Sequence, residues 1–154
     1  MRNLKQILNN KLVQIPNSFA IIILLVALLG FIDASYLTVE HYKNVIPPCS
    51  VTGGCEVVLT SIYSTILGIP VSLLGSIFYL IILICIFAYI ESKNSELLKW
   101  SLLLTIPGFV LALWFVYVQI FILHSYCIYC LGSFLSTTIL FTLTMKVFAK
   151  YHEQ

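Results

Sequence analysis

The sequence predicts an all-α integral membrane protein: a four-transmembrane-helix bundle with a short extracytoplasmic loop helix. Three observations carry that expectation. Hydrophobic residues make up 60% of the 154-residue chain and charged residues only 9%, whereas soluble domains carry about 25% charged residues. Mean hydropathy is +1.04. The apolar residues fall into runs of roughly 20, which is what a helix needs to cross a hydrocarbon core of about 30 Å. Such runs are too long for barrel strands, and a bilayer admits no other spanning structure.

The first expected span covers residues 19–39. Residues 19–32 hold no polar side chain, and Asp33 then interrupts the run. The second covers 69–90 and the third 100–123, both without a charge, and the fourth covers 126–145. No Gly/Ser linker, repeat or low-complexity tract divides the chain, so residues 1–154 read as one membrane domain. Within the segment 1–18, Leu4, Ile7, Leu8, Lys11, Leu12 and Ile15 have the spacing of a short amphipathic helix on the cytoplasmic membrane surface. A cleaved signal peptide is the alternative for the first span. However, the apolar run continues through Ala34-Ser35-Tyr36-Leu37, and cleavage would leave an odd number of helices.

Basic residues set the orientation. Arg2, Lys5, Lys11, Lys93, Lys99, Lys146 and Lys150 fall on one face of the four-span arrangement and only Lys43 on the other. Both termini are therefore expected in the cytoplasm of a multi-pass cytoplasmic (inner) membrane protein. The net charge of +2 is too small to imply a nucleic-acid partner.

The loop 40–68 is the one sizeable extramembrane piece. Pro47-Pro48 and Gly53-Gly54 mark turns around Cys49 and Cys55. Val57, Val58, Ser61, Ile62 and Thr65 follow at helical spacing, as in a short helix capping the bundle, and Pro70 suits the first turn of the second span. Cys127 and Cys130 form a C-x-x-C pair where the third and fourth spans meet. On this topology both pairs face outward, where disulfides persist. Such thiols open and close readily, and a helix start lowers their pKa. A pair facing water beside a pair against hydrocarbon points to a relay, from a water-soluble thiol donor to a lipid-soluble acceptor. Zinc ligation and static disulfides are the other readings of four cysteines. The x5 spacing of Cys49 and Cys55 is wider than the usual zinc knuckle, so no metal is expected. A C-x-x-C loop is too short to contribute much folding entropy.

Other residues carry weaker signals. Asp33 is an ionisable group inside a span, suited either to bonding a neighbouring helix or to passing a proton. His124 lies three residues before the C-x-x-C, placed to support a thiolate, and His41 lies by the loop. Tyr126 and Tyr129 fit an interfacial aromatic belt. Gly30, Ala34 and Thr38, with Ser72 and Ser76, are small residues suited to close helix packing. Cys85 reads as a small buried hydrophobe. Pro107-Gly108 should kink the third span and make room for a flat ligand.

Gly54-Cys55-Glu56-Val57-Val58-Leu59-Thr60-Ser61, then Gly68-Ile69-Pro70 and Gly75, resembles the signature of bacterial vitamin K epoxide reductase homologues. Asp33-Ala34-Ser35-Tyr36-Leu37-Thr38, Glu40-His41-Tyr42 and Cys127-x-x-Cys130 resemble that family too, over about residues 20–148. The disulfide-bond formation protein B family places its C-x-x-C first and its separated pair later, the reverse of the order here. The resemblance implies a membrane thiol–quinone oxidoreductase of the bacterial type, without a fused thioredoxin domain. Its partner would be a separate extracytoplasmic DsbA-like thioredoxin-fold protein that attacks a Cys49–Cys55 disulfide at Cys49. Cys55 would then attack Cys127, and Cys130 would pass electrons to menaquinone or ubiquinone from the membrane pool. The family's serine six positions after the second loop cysteine corresponds to Ser61. The vertebrate enzymes set an asparagine and a tyrosine against the quinone carbonyls. The matching positions here are Val71 and Phe134, which donate no hydrogen bond, so epoxide reduction is not expected. A non-catalytic scaffold with structural disulfides and a small transporter using Asp33 are the alternatives from other classes.

Overall fold

The computed structural model describes residues 16–49 and 54–152. The expected amphipathic segment before the first span, and Gly53 of the loop turn, lie outside them.

Among the described residues, four helices are long and apolar enough to cross a membrane. Helix α1 spans Asn17–Lys43 and ends on Asn44 in the left-handed region. There the N–H of Asn44 donates to the His41 carbonyl and that of Val45 to the Glu40 carbonyl. The helix therefore runs past the apolar stretch into polar residues that hydropathy alone leaves out. Helix α2, Cys55–Leu59, follows, then a 3-10 turn, Ile62–Ser64. Strands β1 (Thr65–Ile66) and β2 (Ile69–Pro70) form a minimal antiparallel hairpin. Helices α3 (Val71–Ser92), α4 (Ser95–Tyr117) and α5 (Ile128–His152) complete the bundle, with a π-helical turn, Val118–Ile122, continuing α4.

The loop corrects two expectations. The capping helix stops at Leu59 instead of running on to Thr65. The Thr60 hydroxyl bonds back to the Glu56 carbonyl and the Ser61 hydroxyl to the Val58 carbonyl, closing the helix end. Leu67 (φ 52°) and Gly68 (φ 80°) then make the two-residue turn with positive φ at both positions that a hairpin favours. Pro70 is the residue before α3, not part of its first turn. Lys99, expected in the turn between spans, lies inside α4 and pairs with Glu96 at 2.6 Å. The start of α4 is capped by the Asn94 side chain, which accepts from the Glu96 N–H at 3.1 Å.

The small residues sit where close packing uses them. Gly30 faces the Tyr79 ring so closely that a β-carbon there would fall inside it. Ala34 is buried, with its β-carbon 3.7 Å from the place of a Cβ on Gly75. The Ser35 and Ser76 hydroxyls bond at 3.0 Å between α1 and α3. Tyr79 is itself buried and donates to the Ser133 carbonyl at 3.0 Å, tying α3 to α5. Pro107 lies within α4 without ending it, and Gly108 accommodates the Phe78 ring. The outward side chains, among them Leu29, Ile84, Phe87 and Leu103, are exposed and apolar, as contact with lipid tails requires.

Candidate thiol redox site

The loop and the C-x-x-C turn meet at one end of the bundle. Cys49 and Cys55 are joined by a disulfide with a Cα–Cα distance of 6.0 Å. Cys55, at the start of α2, is fully buried, while Cys49 is half-buried. Cys127 and Cys130 are free thiols at the start of α5. Cys55, Val58 and Cys127 form one buried cluster, and Cys49, Cys130, Leu59, Leu123 and Tyr129 pack against it. The four cysteines singled out by the sequence thus come together in space. Cys85 stands apart as a half-buried free thiol in α3, less enclosed than expected.

Three contacts hold this assembly. Gly54 lies against the backbone of Tyr126, with no room for a β-carbon. The Tyr129 hydroxyl donates to the Pro48 carbonyl at 3.3 Å, and its ring packs against that of Tyr36. Tyr129 therefore clasps the loop segment ending at Cys49 to α5 and does more than populate an aromatic belt, whereas Tyr126 is exposed as a belt residue would be. Finally, the Gln119 side-chain carbonyl accepts from the Cys127 N–H at 3.1 Å, so the π-helical turn positions the C-x-x-C turn.

The Cys130 N–H points at the Cys127 sulfur, 3.4 Å away, the geometry of a thiol at a helix N-terminus. Hydrogen bonding from the Cys130 thiol brings the Cys127 pKa down to about 7, against the upward push of burial.

A cavity of about 830 Å³ opens beneath the loop, between all four long helices. Cys130, Val71 and Phe134 line it, as do Ser61, Pro107 and Gly108. Its lining is mostly apolar, and its size is that of a small-molecule pocket, about 300–1,000 Å³. Cys130 belongs to both the cysteine cluster and the cavity wall, whereas Cys127 belongs only to the cluster.

The remaining expected residues divide. Asp33 accepts a hydrogen bond from the Ser133 hydroxyl at 2.6 Å, joining α1 to α5 one turn beyond Cys130. Ser61 spends its hydroxyl on the Val58 carbonyl while lining the cavity. His124 is exposed in the turn before the C-x-x-C, with φ 47°, and lies outside both the cluster and the cavity wall. No group of three or more His, Cys, Asp or Glu placed to hold a metal occurs among the described residues. Sequence reasoning missed Gln119 and Tyr79. Gln119 had a readable signal, being the only side-chain amide in the four expected spans.

Two cysteine pairs in one buried cluster, over an apolar cavity in a four-helix membrane bundle, define a membrane thiol oxidoreductase. The model of the vitamin K epoxide reductase family matches residues 21–145, and the chain belongs to that family. Membership carries the general activity of membrane thiol–disulfide and quinone oxidoreduction. No curated protein matched the chain in a sequence search.

Proposed function

We propose that this protein reoxidises a separate extracytoplasmic thioredoxin-fold protein of the DsbA-like kind and delivers the electrons to menaquinone or ubiquinone. The observation that carries the reading is the position of Cys130, which touches the cysteine cluster on one side and lines the cavity on the other.

The thiol steps balance as two-electron exchanges. A partner thiolate attacks the Cys49 sulfur, the more accessible of its pair, and frees Cys55 as thiolate. The partner's second thiol closes its own disulfide and releases Cys49. Cys55 attacks Cys127 in a Cys127–Cys130 disulfide and frees Cys130 as a thiolate, which takes up a proton released by the partner's thiols. Cys49 then attacks Cys55, restoring the loop disulfide and releasing Cys127. Loss of two electrons and the Cys130 proton to an acceptor in the cavity lets the Cys127 thiolate close the bond to Cys130 again. The wide, mostly apolar cavity suits a quinone ring and tail, and a bound quinone would supply the two-electron acceptor. The chain's own residues set the geometry. Gln119 holds the Cys127 backbone, Tyr129 and Gly54 seat the loop, and Phe134, Pro107 and Gly108 shape the wall.

The basic-residue bias supports an orientation with both termini in the cytoplasm and the cysteines outside, in a cytoplasmic membrane. The Lys93 ammonium donates to the Asn17 side chain at 2.5 Å, so the start of α1 and the end of α3 share the end remote from the cysteines.

The test is anaerobic turnover in detergent, with a reduced thioredoxin-fold donor and short-chain menaquinone or ubiquinone, followed by quinone absorbance. Quinone loss that disappears in Cys130→Ala is the expected result. Cysteines that stay disulfide-bonded whatever the quinone supplied would instead mark a scaffold.

A further inference from the structure

Gln119 is the one carboxamide in the four expected spans and is almost wholly buried, 2% exposed. Both its carbonyl oxygens are fixed. Its backbone carbonyl accepts from the Ser125 N–H at 3.1 Å, and its side-chain Oε1 accepts from the Cys127 N–H at 3.1 Å. A backbone N–H can only donate, so it must face the carbonyl oxygen of the amide, and this settles which way the amide group lies. The Nε2 group, with two hydrogens, is left on the other side. It makes no hydrogen bond among the described residues.

The environment of that nitrogen can be placed. Among the described residues, the only fully enclosed side-chain polar atom without a partner is the Ser101 hydroxyl. The Nε2 of Gln119, also without a partner, is therefore not enclosed, and Gln119 lines the cavity that Cys130 borders. Several hydroxyls of the wall near Cys130 have used their hydrogens: Tyr79 donates to the Ser133 carbonyl, Ser133 to Asp33, Thr137 to the Ser133 carbonyl and Ser61 to the Val58 carbonyl. Positions 71 and 134, where the sequence resemblance leads one to look for donors, are Val and Phe.

We propose that the Gln119 carboxamide donates a hydrogen bond to a carbonyl oxygen of the quinone in this cavity, supplying the donor that Val71 and Phe134 cannot. The inference rests on the quinone reading above and goes beyond it by assigning the recognising group. The same amide then spans the site: its oxygen holds the C-x-x-C turn through the Cys127 N–H, and its nitrogen orients the acceptor. In an apolar, water-poor wall such a donor favours the electron-richer reduced form of the ligand. Gln119 binds and orients; it exchanges no electron or proton.

The test is binding without turnover. Full-length protein with all four redox cysteines oxidised is titrated with a short-chain naphthoquinone and with a naphthalene analogue lacking both carbonyl oxygens. Isotope-edited infrared spectra of the bound quinone are recorded alongside. In the wild type one carbonyl band should lie below its free frequency. Gln119→Met should weaken the naphthoquinone roughly five- to tenfold, the scale of one hydrogen bond, leave the analogue unchanged and abolish the band shift. Gln119→Glu keeps an acceptor for the Cys127 N–H, and above its titration it carries no donor. It should lose the shift too, and it serves if the methionine variant fails to fold. Equal weakening of both ligands, or a shift that survives both substitutions, overturns the assignment and leaves the quinone reading standing. A wild type that binds no quinone overturns both.

Discussion

Gly54 sits on the backbone of Tyr126: a β-carbon at position 54 would lie 2.7 Å from the Tyr126 nitrogen and 2.8 Å from its carbonyl oxygen. Backbone atoms of the segment before Cys127 cannot yield as a flexible side chain does. Gly54 is at φ −92°, an ordinary conformation, so the glycine is required by close approach and not by backbone freedom. This contact brings Cys55, the next residue, into the cluster with Cys127. Gly54→Ala should therefore displace α2 from the C-x-x-C turn. We expect it to cost about 1–3 kcal/mol of stability, the usual range for overpacking, and to slow transfer between the two pairs by at least tenfold. The check is the yield of the Cys55–Cys127 mixed disulfide trapped in a Cys49→Ala, Cys130→Ala background, with and without the added substitution. An unchanged yield would show that the contact does not govern the approach.

Tyr129 connects the loop to α5 through residues 81 positions apart. Its hydrogen bond to the Pro48 carbonyl is exposed, so Tyr129→Phe should cost no more than about 0.5–1 kcal/mol. The ring makes the larger contribution, packing on Tyr36 and on the cysteine cluster. Tyr129→Ala should therefore free the loop segment ending at Cys49. Amide hydrogen exchange in residues 45–49 should rise markedly in the alanine variant and only slightly in the phenylalanine variant. Equal protection in all three proteins would argue that Tyr129 is an interfacial residue and no clasp.

What could be read from the sequence follows the range of each interaction. The spans were legible because crossing hydrocarbon is a demand on each helix alone, met by composition within some 20 residues. The grouping of the cysteines into a loop pair and a C-x-x-C pair was legible because it resides in residue type and spacing. The hairpin was not, since Leu67 occupies a left-handed conformation that its residue type disfavours and Gly68 alone advertised. Tyr129 resembled a belt residue because its partners, Pro48 and Tyr36, are remote in sequence. Gln119 was visible as a lone amide among apolar residues, but its task appears only when the π-helical turn sets it against the Cys127 N–H.

Asp33 and Ser133 couple α1 to α5 through a 2.6 Å hydrogen bond in which the serine donates. An asparagine carbonyl can accept that hydrogen equally well, so Asp33→Asn should leave thermal stability in detergent nearly unchanged. Asp33→Leu removes the acceptor and leaves the Ser133 hydroxyl unpaired, a loss of about 1–3 kcal/mol. If Asp33 serves only to join helices, quinone turnover in the asparagine variant should match the wild type. A turnover loss there, with stability intact, would assign the carboxyl to proton movement.

Cys127 should be substantially thiolate at neutral pH. Its pKa is about 7, held down chiefly by hydrogen bonding from the Cys130 thiol, where an unperturbed cysteine titrates near 8.5. The sign is fixed: above pH 7 the thiolate that closes the bond to Cys130 is present, and below pH 7 it is progressively protonated. Turnover should thus fall on the acid side with a midpoint near 7. Removing the stabilising thiol in Cys130→Ala should raise the Cys127 midpoint by about one unit or more, toward the free value. Thiolate absorbance, followed against pH in reduced protein with Cys49, Cys55 and Cys85 replaced by serine, measures this directly. A midpoint unmoved by the loss of Cys130 would mean that the backbone N–H groups of the helix start, and not the neighbouring thiol, set the acidity of Cys127.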